Sequence, residues 1–380
     1  MKRLLIFFFL ATAALTGEAQ VTGYELLSSH PVTDRICDAL SPTGLAVAPN
    51  GDYLVSFNNK GDAAAGSTAY ILRSQDHGKT WNSSEPDCVY PADGLAGITI
   101  SLCNLPDGSV LKSEGITYHV STDRKAVWQP RIGIVRLSRS TNREATEWEF
   151  LQELSLDGAL LAPMGKVVEL PNGDLIYPLW RSGKVKKLPG ALYGSGFHRS
   201  TDGGRTWGNF ELAFREEPEE GEKPWNFNES AFLVRDDGTI VGFARHDSHK
   251  DFHGMFRITS SDNGVTWSKP EKTDIWGKFP CIIKLPEGGF FLVCGKHNAR
   301  PHPRTVHFYY SGDGLEFTEL GSAYYSRTGG KPRNSGTGGA QCAIAGPGAN
   351  EVFFVYYAFD PELEGHHQTY IDCNRIKLIR

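Results

Sequence analysis

A hairpin recurs six times along the chain, and no other feature limits its fold as tightly. Each copy is an apolar run, a polar turn and a second apolar run. The copies are GLAVAPNGDYLVSF (44–57), TISLCNLPDGSVLKSE (99–114), KVVELPNGDLIYPLW (166–180), SAFLVRDDGTIVGFA (230–244), CIIKLPEGGFFLVCG (281–295) and, with a longer turn, QCAIAGPGANEVFFVYYAF (341–359). Pro presets φ in such turns, Asn and Asp tolerate the left-handed region, and Gly enters it freely. The turn glycines Gly51, Gly108, Gly173, Gly238 and Gly288 follow one another at intervals of 50 to 65 residues, which suits one four-stranded sheet per repeat.

A second signature follows several hairpins. SQDHGKTW (74–81), STDGGRTW (200–207) and SSDNGVTW from Ser260 all read Ser-x-Asp-x-Gly-x-Thr-Trp, with weaker forms at Ser311 and between Ser140 and Trp148. The pattern predicts a tight turn: Ser and Asp side chains bond nearby backbone, Gly takes the strained position, and Trp packs beneath. One four-stranded sheet cannot bury both of its faces alone. Six arranged radially bury one another and leave only short edges. The expected fold is therefore an all-β, six-bladed propeller over residues 20–380. A strand near Val21 to Leu27 should close the ring against the last repeat, with Tyr370 to Ile379 as an outer strand.

The first residues read as an address. Lys2 and Arg3 precede an apolar run from Leu4 to Leu15, and Gly17 and Ala19 suit cleavage before Gln20. Residues 1–19 are thus expected to be a signal peptide that exports the chain to the periplasm or the exterior. No later run is long enough to span a bilayer. The formal charge of −5, with no basic block, argues against nucleic acid as a partner. The seven cysteines form no CxxC pair, which argues against a structural zinc site, and no metal or cofactor is expected. Cys103, Cys281, Cys294 and Cys342 fall inside apolar strands and should be buried thiols.

In a propeller blade the turn joining the first two strands lies on one face of the ring. Residues just before the first strand and just after the second lie on the other face, where a site belongs. Those positions are polar here. Asp62, Glu114, Arg181, Arg245, His246 and Lys296 follow second strands, and Glu229 precedes the apolar run from Ala231 to Val234. Charged groups at a narrow mouth are costly unless they are paired or functional, so interblade salt bridges compete with a ligand site.

The Ser-x-Asp-x-Gly-x-Thr-Trp motif is the Asp box, and the chain resembles the sialidase (neuraminidase) superfamily over essentially its whole mature length. In that superfamily an Arg triad holds the substrate carboxylate, a Glu activates a Tyr nucleophile, and an Asp serves as acid and base. The resemblance implies that Glu229 in NESAFLV is the Glu, and that Arg245 in VGFARHD and Arg304 in HPRTVHFYYSGDG are two of the triad. It nominates Arg35, in DRICDAL, as the triad Arg that opens the first blade and Asp62, in NNKGDAAAGS, as the acid/base. The segment GSAYYS nominates Tyr325 as nucleophile, whereas aligning on the last hairpin puts Gln341 at that place. Arg181 and His246 are further substrate-binding candidates. The implied activity is exo-hydrolysis of a terminal acidic sugar, sialic acid by resemblance, from a glycan. Two other readings stay open. One is a lyase or glycosidase acting on another acidic polysaccharide, to which the histidines between His246 and His302 would suit. The other is a carbohydrate-binding propeller without catalysis.

Overall fold

A computed structural model describes residues 21–33, 41–60, 64–118, 132–155, 160–163, 165–182, 193–215, 226–246, 254–295, 306–323, 336–359 and 369–380. The regular elements there are all strands, arranged in six sheets. Strand β1 (Gly23–Pro31) is set apart in sequence from the sheet it joins. Blade 1 is β2 (Ser41–Val47), β3 (Tyr53–Asn58), β4 (Thr68–Ser74) and β5 (Cys88–Pro91). Blade 2 is β6 (Ala96–Asn104), β7 (Val110–Tyr118), β8 (Ile132–Ser140) and β9 (Trp148–Ser155). Blade 3 has a broken inner strand, β10 (Leu160–Pro163) and β11 (Val168–Glu169), followed by β12 (Leu175–Ser182), β13 (Tyr193–Ser200) and β14 (Phe210–Leu212). Blade 4 is β15 (Phe227–Val234), β16 (Ile240–His246), β17 (Gly254–Ser260) and β18 (Glu271–Trp276). Blade 5 is β19 (Lys278–Lys284), β20 (Phe290–Gly295), β21 (Val306–Ser311) and β22 (Thr318–Ala323). Blade 6 is β23 (Gly336–Ala345), β24 (Glu351–Phe359) and β25 (Thr369–Ile379), completed by β1.

Strand β1 pairs antiparallel with β25 from Gly23↔Ile379 to Pro31↔Asp372, so the N-terminal strand closes the ring as expected. The closing strand itself is the outermost one. The segment from Tyr370 to Ile379, expected as an outer strand, is third in its sheet and largely buried because β1 covers it.

The core is distributed. Six apolar clusters lie one between each pair of neighbouring blades. Each sheet is apolar on both faces, as alternate residues of one strand serve different clusters. On β12, Tyr177 and Leu179 face blade 2, while Ile176 faces blade 4. Cys103, Cys281, Cys294, Cys342 and Cys373 are buried free thiols within these clusters, and Cys88 is half-buried.

The Asp boxes are the turns between third and fourth strands, and their chemistry repeats. Ser74 Oγ donates to Asp76 (2.8 Å) and accepts from Gly78 N–H (2.8 Å), while Asp76 accepts from Thr80 N–H (2.9 Å) and Thr80 Oγ1 (2.6 Å). Ser200, Asp202 and Thr206 repeat the set, as do Ser260, Asp262 and Thr266. Blade 2 keeps the turn with Asn142 in the acid's place, accepting from Thr146 N–H at 2.9 Å. Gly78, Gly204 and Gly264 hold φ of +85°, +87° and +78°, the left-handed region that Gly tolerates best. The turns also join blades: Gln152 of blade 2 accepts from Trp207 N–H (2.8 Å) and donates to its carbonyl (2.9 Å).

Candidate functional site

The face opposite the hairpin turns gathers the polar residues of blades 3 and 4. Glu229 is the third residue of β15 and sits in a bulge: Asn228 pairs with Arg245 and Ser230 with Ala244, so the ladder register skips Glu229. Its φ is +30°, a strained value for a residue with a side chain. The bulge turns the carboxylate toward two donors. Arg245 Nη1 donates to Oε1 at 2.9 Å, and the backbone N–H of Phe279 donates to Oε2 at 3.0 Å. Arg245 comes from the neighbouring strand β16, while Phe279 is the second residue of the inner strand of blade 5. Phe279 is itself left-handed, at φ +53°, in a bulge of β19 between Lys278 and Cys281. Two strained inner-strand bulges therefore clasp one another across a blade boundary, with an acid between them. Glu229 is 6% exposed.

The other candidates fall differently. Arg181, next to last in β12, lies toward the same face but is 2% exposed, and its Nε has no acceptor among the described residues. Burial pushes its pKa down. Gly194 makes room for it, since a Cβ there would lie 2.8 Å from Arg181 Nε. His246 is buried at 5% exposure, its ring centroid 4.8 Å from that of Phe256 and 6.1 Å from that of Phe227. It packs within the blade 3–4 interface. Arg35, Asp62, Arg304 and Tyr325 lie outside the described residues, as do residues 1–19 and the histidines from His249 to His302. Gln341 has its backbone in β23, in the ladder irregularity between Gly339 and Cys342, as Glu229 lies in that of β15.

Glu114, read from sequence as lying beyond its second strand, is instead inside β7, which runs on to Tyr118. It accepts from Lys112 Nζ at 2.9 Å, and that ammonium also donates to Tyr90 Oη at 3.0 Å and lies 4.8 Å from the Trp148 ring centroid. This is an interblade staple between blades 1 and 2. Two other contributors escaped sequence reasoning. The Phe279 donor is a backbone group with no sequence signal. Lys166, which lines a cavity together with Phe279, opens a hairpin's first apolar run, a signal of the same kind as Glu229. No group of three or more His, Cys, Asp and Glu converges to hold a metal among the described residues, and no helix there could cross a membrane.

The repeat model of the BNR repeat-like domain matches residues 116–320, more than half of the chain. The chain belongs to this family. It is a sialidase-like BNR propeller. Among curated protein sequences, none matches it. A Dyadobacter fermentans protein of unknown function superposes with a TM-score of 0.70 at 17% identity, covering 94% of this chain and 100% of that one. A Hadza microbial sialidase superposes at 0.64 with 14% identity, covering 92% and 68%. The α-L-arabinofuranosidase of Fusarium graminearum, complexed with arabinobiose, superposes at 0.62 with 11% identity, covering 94% and 98%. At these identities the likeness speaks for the fold.

Proposed function

We propose that this propeller is an exo-acting glycoside hydrolase of the sialidase type, cleaving a terminal acidic sugar from a glycan. The observation that carries the reading is the Glu229–Arg245 pair at 2.9 Å, braced from the next blade by Phe279 N–H. A carboxylate fixed in place is suited to hold a proton or accept one from a neighbouring nucleophile. Arg245 has five N–H donors, and a guanidinium fork matches a sugar carboxylate. In this reading Arg35 and Arg304 complete the anion clamp, Asp62 is the acid and base, and Glu229 activates Tyr325. Arg181 and His246 act from behind, shaping the wall of the site through burial. The transition state is oxocarbenium-like, and a Tyr replaces the second carboxylate of most glycosidases. The N-terminal segment 1–19 is assigned to export, and the partner is an extracellular or periplasmic glycan.

One observation favours a second reading within the same class. Gln341 lies in the irregularity of β23, as Glu229 lies in that of β15. With a Gln rather than a Tyr there, a different exo-glycosidase chemistry is favoured. Arabinofuranosidases are among the propellers that superpose on nearly their full length. The test is a panel of fluorogenic glycosides incubated with the purified chain and with Glu229→Gln. Release from an α-sialoside that is lost in the variant supports the first reading. Release from the arabinofuranoside alone establishes the second. If no glycoside is turned over and no unsaturated uronate forms from acidic polysaccharides, the propeller is a binding module and both readings fail.

A further inference from the structure

A narrow cavity lies on the propeller axis, lined by Thr43, Ser101, Lys166, Phe279 and Cys342 from five different blades. The broken inner strand of blade 3 supplies its cation. Gly165 takes φ +78° between β10 and β11, and Lys166 then reaches the cavity. The next residues, Val167 and Val168, return to the clusters on either side of the blade. The ammonium lies within electrostatic reach of Cys103, Cys281 and Cys342, from blades 2, 5 and 6. None of those thiols can balance it. Burial pushes Cys103 up to about 11 and raises Cys281 and Cys342 as well, so all three stay protonated. Lys166 makes no ion pair among the described residues, and Glu229, at the same end of the axis, is engaged by Arg245 and Phe279 N–H.

A cation with no ion pair among the described residues, held in a narrow channel between the sheets, raises the local concentration of anions. The cavity has room for one particle of water or halide size, too little for a sugar or a branched carboxylate. We propose that the axis of this propeller binds a single monatomic anion, chloride under ordinary conditions, with Lys166 as its counter-charge. The anion ties inner strands from opposite sides of the ring to one centre. It also touches the Phe279 segment whose N–H holds Glu229. The inference does not depend on the glycosidase reading.

The test is thermal unfolding of the full chain at constant ionic strength while sodium gluconate is replaced by sodium chloride. A saturating rise of a few degrees is expected for the wild type and for Lys166→Arg, with a flat response for Lys166→Met. Equal midpoints in chloride and gluconate would overturn the proposal, as would a chloride response retained by Lys166→Met. Acetate raising the midpoint as much as chloride would overturn the monatomic assignment. Should Lys166→Met fail to fold, iodide-soaked wild-type crystals decide: an anomalous peak beside the Lys166 ammonium supports the site, and its absence refutes it.

Discussion

Glu229 combines two conditions that a chain seldom accepts at one position. It is an acid at 6% exposure and a non-glycine residue at φ +30°. Strain of this kind costs on the order of 1–3 kcal/mol and persists where surrounding contacts over-determine it. Here Arg245 from the adjacent strand and a peptide N–H from the next blade do so. Replacing Arg245 by Met leaves the carboxylate buried with one partner fewer. That change should lower stability by about 3 kcal/mol, read by chemical unfolding, and abolish turnover. Glu229→Gln keeps the shape and removes the charge. Its single acceptor oxygen cannot serve both Arg245 and Phe279 N–H, so it should unfold more easily than the wild type and also lose at least about 100-fold in kcat on whichever glycoside the wild type accepts. A pair that only staples blades would instead show the stability loss without the kinetic one. Glu229 could be picked from NESAFLV because a charged residue opens an apolar run. Its brace could not, because Phe279 contributes a backbone group, which every residue but proline has.

At the scale of the element, the Asp box shows how a short motif is written locally. Asp76, Asp202 and Asp262 each have a pKa lowered to about 2. At Asp76 and Asp202 desolvation pushes upward, but the bonds from Thr, backbone N–H and Ser outweigh it; at Asp262 the Thr266 hydroxyl is the leading cause. Because the folded values lie below the ordinary 3.8, the unfolded chain binds protons first on acidification. Their contribution is therefore complete above about pH 4 and is lost as pH falls toward about 2. Urea midpoints measured from pH 6 down to pH 2 should drop along this limb. The triple variant Asp76→Asn, Asp202→Asn and Asp262→Asn should start lower and show a shallower acid limb. An unchanged limb would mean that other carboxylates govern acid unfolding. All the partners in these turns lie within four residues, which is why the motif could be read directly. The degenerate turn of blade 2 could be suspected only from Ser140 and Trp148, and its Asn142 emerged from the folded turn.

For the whole molecule the decisive contact is the longest in sequence. Strand β1 pairs with β25 across more than 340 residues and turns an open array of sheets into a ring. Without it, β25 becomes an exposed edge beside the buried cluster of blades 5 and 6, where Val21 also packs. A chain beginning after Thr33 should melt lower by on the order of 5 °C or more and associate on gel filtration. An unshifted melting point with a monomeric elution would show that closure adds little. Apart from this clasp the interfaces resemble one another, as a repeat protein requires, and stability should be shared around the ring.

The local order of residues determined the hairpins, the Asp boxes, the number of blades and the terminal strand that closes them. These depend on turn chemistry and alternation within a few residues, and a pattern repeated six times corrects its own weak copies. The folded ring alone decided which charged residues meet. Glu114 was absorbed into a staple with Lys112, His246 was packed among phenyl rings, and Lys166 reached the axis through a break at Gly165. Such outcomes turn on bulges and on the approach of neighbouring blades. A one-residue shift in a strand reverses the direction of a side chain, and nothing in the local sequence records it.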